Sequence, residues 1–215
     1  MESESEERDI EELANELRKL AISKLDKDYS WGKPALDALD CVLSLNRRYK
    51  GIVEPRVEAF KEKHPDVVSL QDLQEMMSRV GSATFVREEL EYNHSARAET
   101  LAGVVNYLIQ VEGGFDGANE RERLSNWAKQ AKPEDYAKVN VKGFGPAGFQ
   151  YLRMLFGAQT VKPDRHIKKF VSRVIGRGVT DLQAIEYLEQ AAKLANLRIR
   201  EADYGIWEKC ADAAD

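Results

Sequence analysis

Apolar residues recur with the spacing of an α-helix along nearly the whole chain, and this periodicity most strongly limits what the chain can fold into. Leu101, Val104, Val105, Leu108 and Ile109 follow the pattern i, i+3, i+4, i+7, i+8, which predicts a helix with one face against a core. Glycine and proline fall mainly between such segments. Only two short β-favouring stretches occur, so the sequence predicts an all-α fold of about ten helices.

Local signals place several helix starts. Ser69 precedes a periodic segment, and Thr180 is followed three residues later by Gln183, the spacing of a capping box. A narrower apolar stripe begins at Ile10, in a helix predicted to start near Glu6.

Length and composition limit the class of protein. The chain has 215 residues, 43% of them hydrophobic, which suits one or two domains with a buried core. Charged residues interrupt every apolar run, so no transmembrane helix is expected, and the acidic start lacks the apolar region of a signal peptide. The only cysteines are Cys41 and Cys210. We therefore expect a cytosolic or nuclear protein with reduced thiols and without a structural four-thiolate metal site. Of the two compartments we favour the cytoplasm, with association to the nucleoid if the source is prokaryotic, and we expect a monomer.

The net charge of −5 is unevenly distributed along the chain. Residues 1–20 hold eight acidic and three basic residues, which accounts for the whole −5, and residues 142–177 hold eight basic residues and one acid, Asp164. This basic stretch could meet phosphate groups. It could equally be a solvated helix face.

The stretch Val141–Phe149, VKGFGPAGF, has two interpretations. Its three glycines satisfy the dinucleotide-binding pattern G-x-G-x-x-G, but that pattern needs a preceding strand, which the sequence does not predict. The preferred interpretation is a tight turn between two helices, with Pro146 in the first turn of the second helix. Backbone amides at such a helix start bind phosphate. An ordinary helix-to-helix turn would have the same residues.

Four segments together resemble one known family. They are Val42–Asn46 (VLSLN), Asn93–Ala98 (NHSARA), Val141–Ala147 (VKGFGPA) and Pro163–Ile167 (PDRHI), with Asp164 seventeen residues after Ala147. In order and spacing they resemble the motifs of the helix-hairpin-helix DNA glycosylase superfamily, of the endonuclease III-like branch. The resemblance covers about residues 35–176.

The resemblance implies both a fold and an activity. It implies an all-α, two-lobed fold, with a six-helix barrel lobe over 36–158 that ends in the hairpin and a second lobe from 1–35 and 159–215. The implied protein is a monofunctional base-excision DNA glycosylase. It would hydrolyse the N-glycosidic bond of a flipped-out damaged or mispaired base in double-stranded DNA. One alternative is a non-catalytic DNA-binding protein with the same fold, and another is a helical protein–protein scaffold.

The resemblance also assigns site residues. Asp164 matches the family's catalytic aspartate, and a carboxylate there would stabilise the oxocarbenium-like transition state. A simpler role for Asp164 is a helix N-cap, and for Asn46 a helix C-cap. The residues expected to contact DNA lie in the hairpin, in the VLSLN segment and after Asp164: Lys142, Gly143, Phe144, Gly145, Ala147, Asn46, Arg165, His166, Lys168 and Lys169.

The chain departs from the family at two points. Ala147 stands where bifunctional members carry the lysine that forms a Schiff base, so no lyase step is expected. The family's C-terminal four-cysteine loop is missing, so no iron–sulfur cluster is expected, nor any other metal site. The hairpin carbonyls could hold a monovalent cation, as in the family. A further hypothesis is that acidic residues 1–9 fold onto the basic stretch and weaken DNA binding.

Overall fold

The computed structural model describes residues 2–20, 22 and 29–212, with side chains over 4–20, 22 and 29–209. The predicted all-α class is confirmed, because this part of the chain forms helices and no strand. None of its helices is both long and apolar enough to cross a membrane. The α-helices are α1 (Glu2–Lys19), α2 (Pro34–Leu43), α3 (Glu54–Lys63), α4 (Leu70–Val80), α5 (Ser82–Glu88), α6 (Ser95–Glu112), α7 (Glu120–Gln130), α8 (Tyr136–Val139), α9 (Pro146–Leu155), α10 (Arg165–Ile175), α11 (Asp181–Leu194) and α12 (Ile199–Asp212). A π-helix (Tyr49–Val53) and a 3₁₀ helix (Pro133–Asp135) complete the set.

The chain divides into two compact units. The first, the terminal unit, comprises Met1–Asp28 and Gln159–Asp215, and the second, the central unit, comprises Tyr29–Ala158. The sequence had placed the first boundary at residue 36, where α2 is already under way.

The central unit is built around α2, all of whose residues are buried. This helix packs against α3, α4, α6 and α9, and the apolar stripe predicted from Leu101 to Leu108 lies in the same core. Trp127 of α7 packs edge-on against Phe149, with ring centroids 5.9 Å apart. A helix that is buried on every side holds both of its ends in fixed positions.

The terminal unit joins both ends of the described chain in one core. The apolar stripe of α1, from Ile10 to Leu17, is buried together with Ile167 and Val171 of α10. The α1 helix packs against α10 and α11 and begins at Glu2, four residues before the predicted start. The acidic leader is thus the first part of a docked helix.

The helix starts predicted at Ser69 and Thr180 are confirmed. Ser69 accepts a hydrogen bond from the backbone amide of Asp72 at the start of α4. Thr180 and Gln183 form the reciprocal capping box of α11. Asp164 is the N-cap of α10, which makes it the residue that fixes where the basic helix begins.

Candidate nucleic-acid interface and catalytic carboxylate

The first candidate element is the turn that joins α8 to α9. The α8 helix ends at Asn140, which has left-handed backbone angles, and the amide of Phe144 donates to the carbonyl of Val141 at 3.1 Å. Gly143 has φ +81°, a conformation that favours glycine. The hydroxyl of Thr100 on α6 donates to the carbonyl of Lys142 at 3.1 Å. A helix, not a strand, precedes the glycines, so the context for dinucleotide binding is missing.

Close packing seats the start of α9 against the end of α2. A Cβ added to Gly148 would lie 2.8 Å from Leu45 Cδ2 and 2.9 Å from Phe144 Cε2. The thiol of Cys41 donates to the carbonyl of Gly148 at 3.3 Å. The side chain of Phe144 is buried, with 5% of its surface exposed, so only its main chain is left for the DNA contact predicted for it.

The start of α9 leaves backbone amides without intrahelical acceptors. Pro146 occupies the first turn of α9. The N-cap residue, Gly145, has no side chain that could accept a hydrogen bond from the backbone amides of this turn. Gly145 and Ala147 are partly exposed, and Lys142 and Gly143 are exposed. This is the local arrangement that binds a phosphate without reading base sequence.

Asp164, the predicted catalytic residue, is half-buried at the start of α10. Its Oδ1 atom accepts from the amides of His166 at 2.8 Å and Ile167 at 3.1 Å, so the N-cap role considered for it is real. Within the described residues, Oδ2 takes part in no hydrogen bond. The carboxylate is therefore oriented through one oxygen and available through the other.

A second carboxylate that the sequence did not single out supports this segment. Asp203 on α12 accepts from the amide of Lys162 at 2.8 Å, and the amide of Asp164 donates to the carbonyl of Lys162 at 2.7 Å. Burial, reinforced by the negative charge of Asp164, raises the pKa of Asp203 to about 7. Asp203 lies thirty-nine positions after Asp164 in the sequence, and no motif links them.

The basic stretch is less uniform than its sequence suggested. Arg165 and Lys169 are exposed, and the predicted contact residue His166 is half-buried, with Nε2 3.2 Å from Arg165 Nε. Lys168 pairs with Asp181 at 2.7 Å. Arg153, one of the eight basic residues counted in 142–177, has to be removed from the basic stretch. It is buried in the central unit and donates to the carbonyl of Ala128, so it adds nothing to a surface patch.

Arg177 also has a partner, and it comes from the acidic leader. Its guanidinium pairs with Asp9 of α1 at 2.5 Å. The leader therefore neutralises one residue of the basic stretch.

Asn46 lies in the turn after α2, where it is exposed and has φ +56°. Ser44, and not Asn46, is the C-cap of α2, so the C-cap alternative for Asn46 was wrong. Arg47 donates to the carbonyl of Asn46 at 2.9 Å and Arg97 donates to that of Leu45. Two arginines thus hold the turn that presents the Asn46 side chain.

A buried carboxylate network fixes α2 from its other side. Asp40 has no exposed surface and accepts from the indole of Trp31 at 2.7 Å and from the hydroxyls of Tyr49 at 2.7 Å and Tyr151 at 2.8 Å. Asp37 accepts from Arg121 at 2.9 Å, and burial raises its pKa to about 6. The signal in the sequence was the pair of acids within the otherwise apolar helix PALDALDCVL.

Metal ligands are not grouped in the part of the chain with described side chains: no cluster there of three or more His, Cys, Asp or Glu residues could hold a metal ion. The thiol of Cys41 is buried, and the thiol of Cys210 lies outside the described side chains. The monovalent cation at the hairpin stays a prediction.

Comparison with known proteins gives one match. The family model described as "Domain of unknown function (DUF8548)" matches residues 8–211. No curated protein and no solved structure matches the chain.

Proposed function

We propose that this chain, which belongs to the DUF8548 family, is a DNA-binding protein with a helix-hairpin-helix glycosylase-like fold and acts as a monofunctional DNA glycosylase. The observation that carries the proposal is the geometry of residues 140–147. Two helices meet there in a tight turn with Gly143 at φ +81°, followed by a helix start whose N-cap, Gly145, has no side chain to cap it.

Hydrogen-bond donors and positive charge favour a nucleic-acid backbone as the partner. The amides at the start of α9 suit a phosphate oxygen, and such contacts position a protein without reading sequence. Arg165 and Lys169 are exposed on the first turns of α10 and supply charge for further phosphates. Asn46, exposed in its rigid turn, is the residue we propose to enter the space left by a flipped base.

Asp164 is proposed as the group that assists bond cleavage. As the N-glycosidic bond breaks, its electron pair leaves with the base and positive charge develops on the sugar. The free Oδ2 of Asp164 would stabilise this charge. Water then bonds to the anomeric carbon, and its proton passes to the carboxylate. Ala147 offers no amine for a Schiff base, so the sugar–phosphate strand stays intact.

The experiment measures base release from duplex oligonucleotides that carry uracil, alkylated or oxidised bases. We expect the wild-type chain to release at least one of these bases. Asp164→Asn should release the base at a rate at least about a hundredfold lower. The reason is that the asparagine amide keeps the N-cap acceptor but lacks the negative charge. Asp116→Asn, at an exposed position in the central unit, is the matched control and should match wild type.

Two results would contradict the catalytic proposal: release of no base from any duplex, or an Asp164→Asn variant as active as wild type. Either would favour the second candidate, a non-catalytic DNA-binding protein. The N-cap hydrogen bonds of Asp164 are by themselves a sufficient reason for an aspartate there. That candidate predicts salt-sensitive duplex binding, without base release, that weakens when Lys168 and Lys169 are replaced by glutamine.

A further inference from the structure

Three arginines of the central unit surround one tyrosine. The Nε of Arg47 donates to the hydroxyl of Tyr92 at 2.6 Å, and the guanidinium of Arg56 lies over the ring of Tyr92, 5.3 Å from its centroid. Arg97 lies close enough to Arg47 and Tyr92 for both residues to affect its pKa. Burial, together with the charge of Arg47 and against the influence of Tyr92, lowers the pKa of Arg97. We call Arg47, Arg56 and Arg97 the arginine cluster.

The arginine cluster has no carboxylate partner in the part of the chain that the structure describes. Its remaining hydrogen bonds go to main-chain carbonyls. Arg97 donates to Leu45 and Arg47 donates to Asn46. Arg56 donates to Ile52 at 2.9 Å and to Glu91 at 3.3 Å. Carbonyl oxygens satisfy donors but carry no full charge. Three positive charges are thus gathered without a counter-charge.

Two members of the cluster, Arg56 and Arg97, have a buried Nε–H without a hydrogen-bond partner, and Arg97 is the more deeply buried of the two. It is 8% exposed, and its buried Nε–H has no hydrogen-bond partner. A buried donor without a partner costs about 1–3 kcal/mol, and more when it belongs to a charged group. The carbonyl of Leu45 accepts from one terminal nitrogen of the Arg97 guanidinium, but the Nε–H is left without an acceptor.

Arg97 is the third residue of α6, and the start of this helix adds backbone N–H donors beside it. The N-cap, His94, makes no side-chain capping bond, and the first turn contains no acidic residue. Ser95 and Ala96 are exposed, and their amides belong to the first turn, which has no intrahelical acceptors. Helical side chains point towards the N-terminus, so the guanidinium of Arg97 and these amides lie at the same end of the helix.

We propose that Arg47 and Arg97, with the first turn of α6, bind one phosphate group of a nucleic-acid backbone. A guanidinium fork matches the geometry of phosphate oxygens, and charge-assisted bonds of this kind are strong. The phosphate supplies the missing counter-charge and an acceptor for the guanidinium donors. The nucleic-acid source rests on the proposed function, whereas the phosphate site itself does not.

The first test uses inorganic phosphate alone. The Nε–H signals of the arginines and the amide signals of Ser95 and Ala96 are followed by NMR as phosphate is added to the full chain at constant ionic strength. We expect the Arg97 Nε–H and both amides to shift in a saturable way, while Arg79, exposed on α4, does not move. Absence of these shifts would overturn the phosphate site.

The second test measures binding of an undamaged DNA duplex by fluorescence anisotropy over a range of salt concentrations. Arg47→Gln should bind about tenfold more weakly, and the slope of log K against log salt should become shallower by about one. Arg79→Gln is the matched control and should lose less in both quantities. Arg97→Lys keeps the positive charge but lacks the forked donors of the guanidinium. Thermal unfolding of this variant shows whether the variant is folded.

The two tests separate the possible outcomes. The proposal is supported if phosphate shifts the NMR signals and if Arg47→Gln binds the duplex more weakly and with less salt dependence than wild type. Phosphate shifts with duplex binding equal to that of Arg79→Gln overturn the nucleic-acid source and leave a site for free phosphate. Neither test measures base release, so failure of the glycosylase proposal would be seen in a different experiment.

Discussion

At the residue scale, Asp203 is the buried acid that most directly affects the proposed catalytic carboxylate. The amide of Lys162 donates to Asp203, and this hydrogen bond fixes the segment that leads into Asp164. An acid with its pKa raised from 3.8 to about 7 holds a proton in the folded state over a range in which the unfolded chain has released it. Folding stability from this residue is therefore present below about pH 4 and is lost as the pH rises to about 7.

This gives a stability prediction. Asp203→Asn removes the titration while keeping an oxygen to accept from Lys162, so the variant should gain about 4 kcal/mol relative to wild type between pH 4 and pH 8. Urea unfolding at a series of pH values measures the difference. A difference between variant and wild type that stays constant with pH would show that Asp203 is ionised throughout.

Gly143 is the residue that the proposed hairpin most depends on for its backbone. Gly143→Ala should destabilise the central unit by about 1–2 kcal/mol, because φ is +81° while the nearest atom to an added Cβ, Thr100 Oγ1, is 3.6 Å away. The cost is thus conformational rather than steric. Gly51→Ala, with open space around the added Cβ, is the control; equal unfolding midpoints for the two variants would contradict the prediction.

At the scale of elements, α1 is a structural helix whose exposed face is acidic. Leu13 is fully buried, and Asp9 pairs with Arg177. The hypothesis that residues 1–9 weaken DNA binding must therefore be tested by substitution, since deletion would remove two turns of a helix that forms part of a core.

The packing of α1 makes its own prediction. Leu13→Ala should destabilise the terminal unit by about 2–5 kcal/mol, because a fully buried leucine leaves a cavity when truncated. Glu11→Ala on the exposed face should change stability by less than about 0.5 kcal/mol. Chemical unfolding measured by circular dichroism compares the two; similar losses would mean that α1 contributes little to this core.

At the scale of the whole molecule, the net charge of −5 conceals two local charge distributions. Eight acidic residues lie within the first twenty positions, most of them on the exposed face of α1. Among the described residues, the arginine cluster and Arg165 and Lys169 of α10 have no carboxylate partner. Long-range repulsion between α1 and a nucleic acid acts over about 10 Å at 0.1 M salt and further at lower salt.

Removing that charge tests the repulsion without disturbing packing. The triple variant Glu7→Gln, Glu11→Gln, Glu12→Gln should bind a DNA duplex more tightly than wild type at low salt, and the gain should disappear at high salt. A control triple variant at Glu58, Glu62 and Glu88, all exposed in the central unit, makes the same change in net charge. Equal gains in the two triples would show that net charge acts and that α1 has no specific effect.

The sequence alone determined the helical class, the capped helix starts and the tight turn at Gly143. Each of these depends on residues close together in the chain: apolar spacing, a capping side chain, a glycine without a Cβ. Only the tertiary structure decided which charges are neutralised. Arg153 and Arg177 are indistinguishable from Arg165 in sequence, yet burial removes the first from the surface and Asp9 pairs with the second. Asp203 and the arginine cluster were not predicted for the same reason, because burial and charge pairing are set by residues far apart in the chain and brought together only by folding.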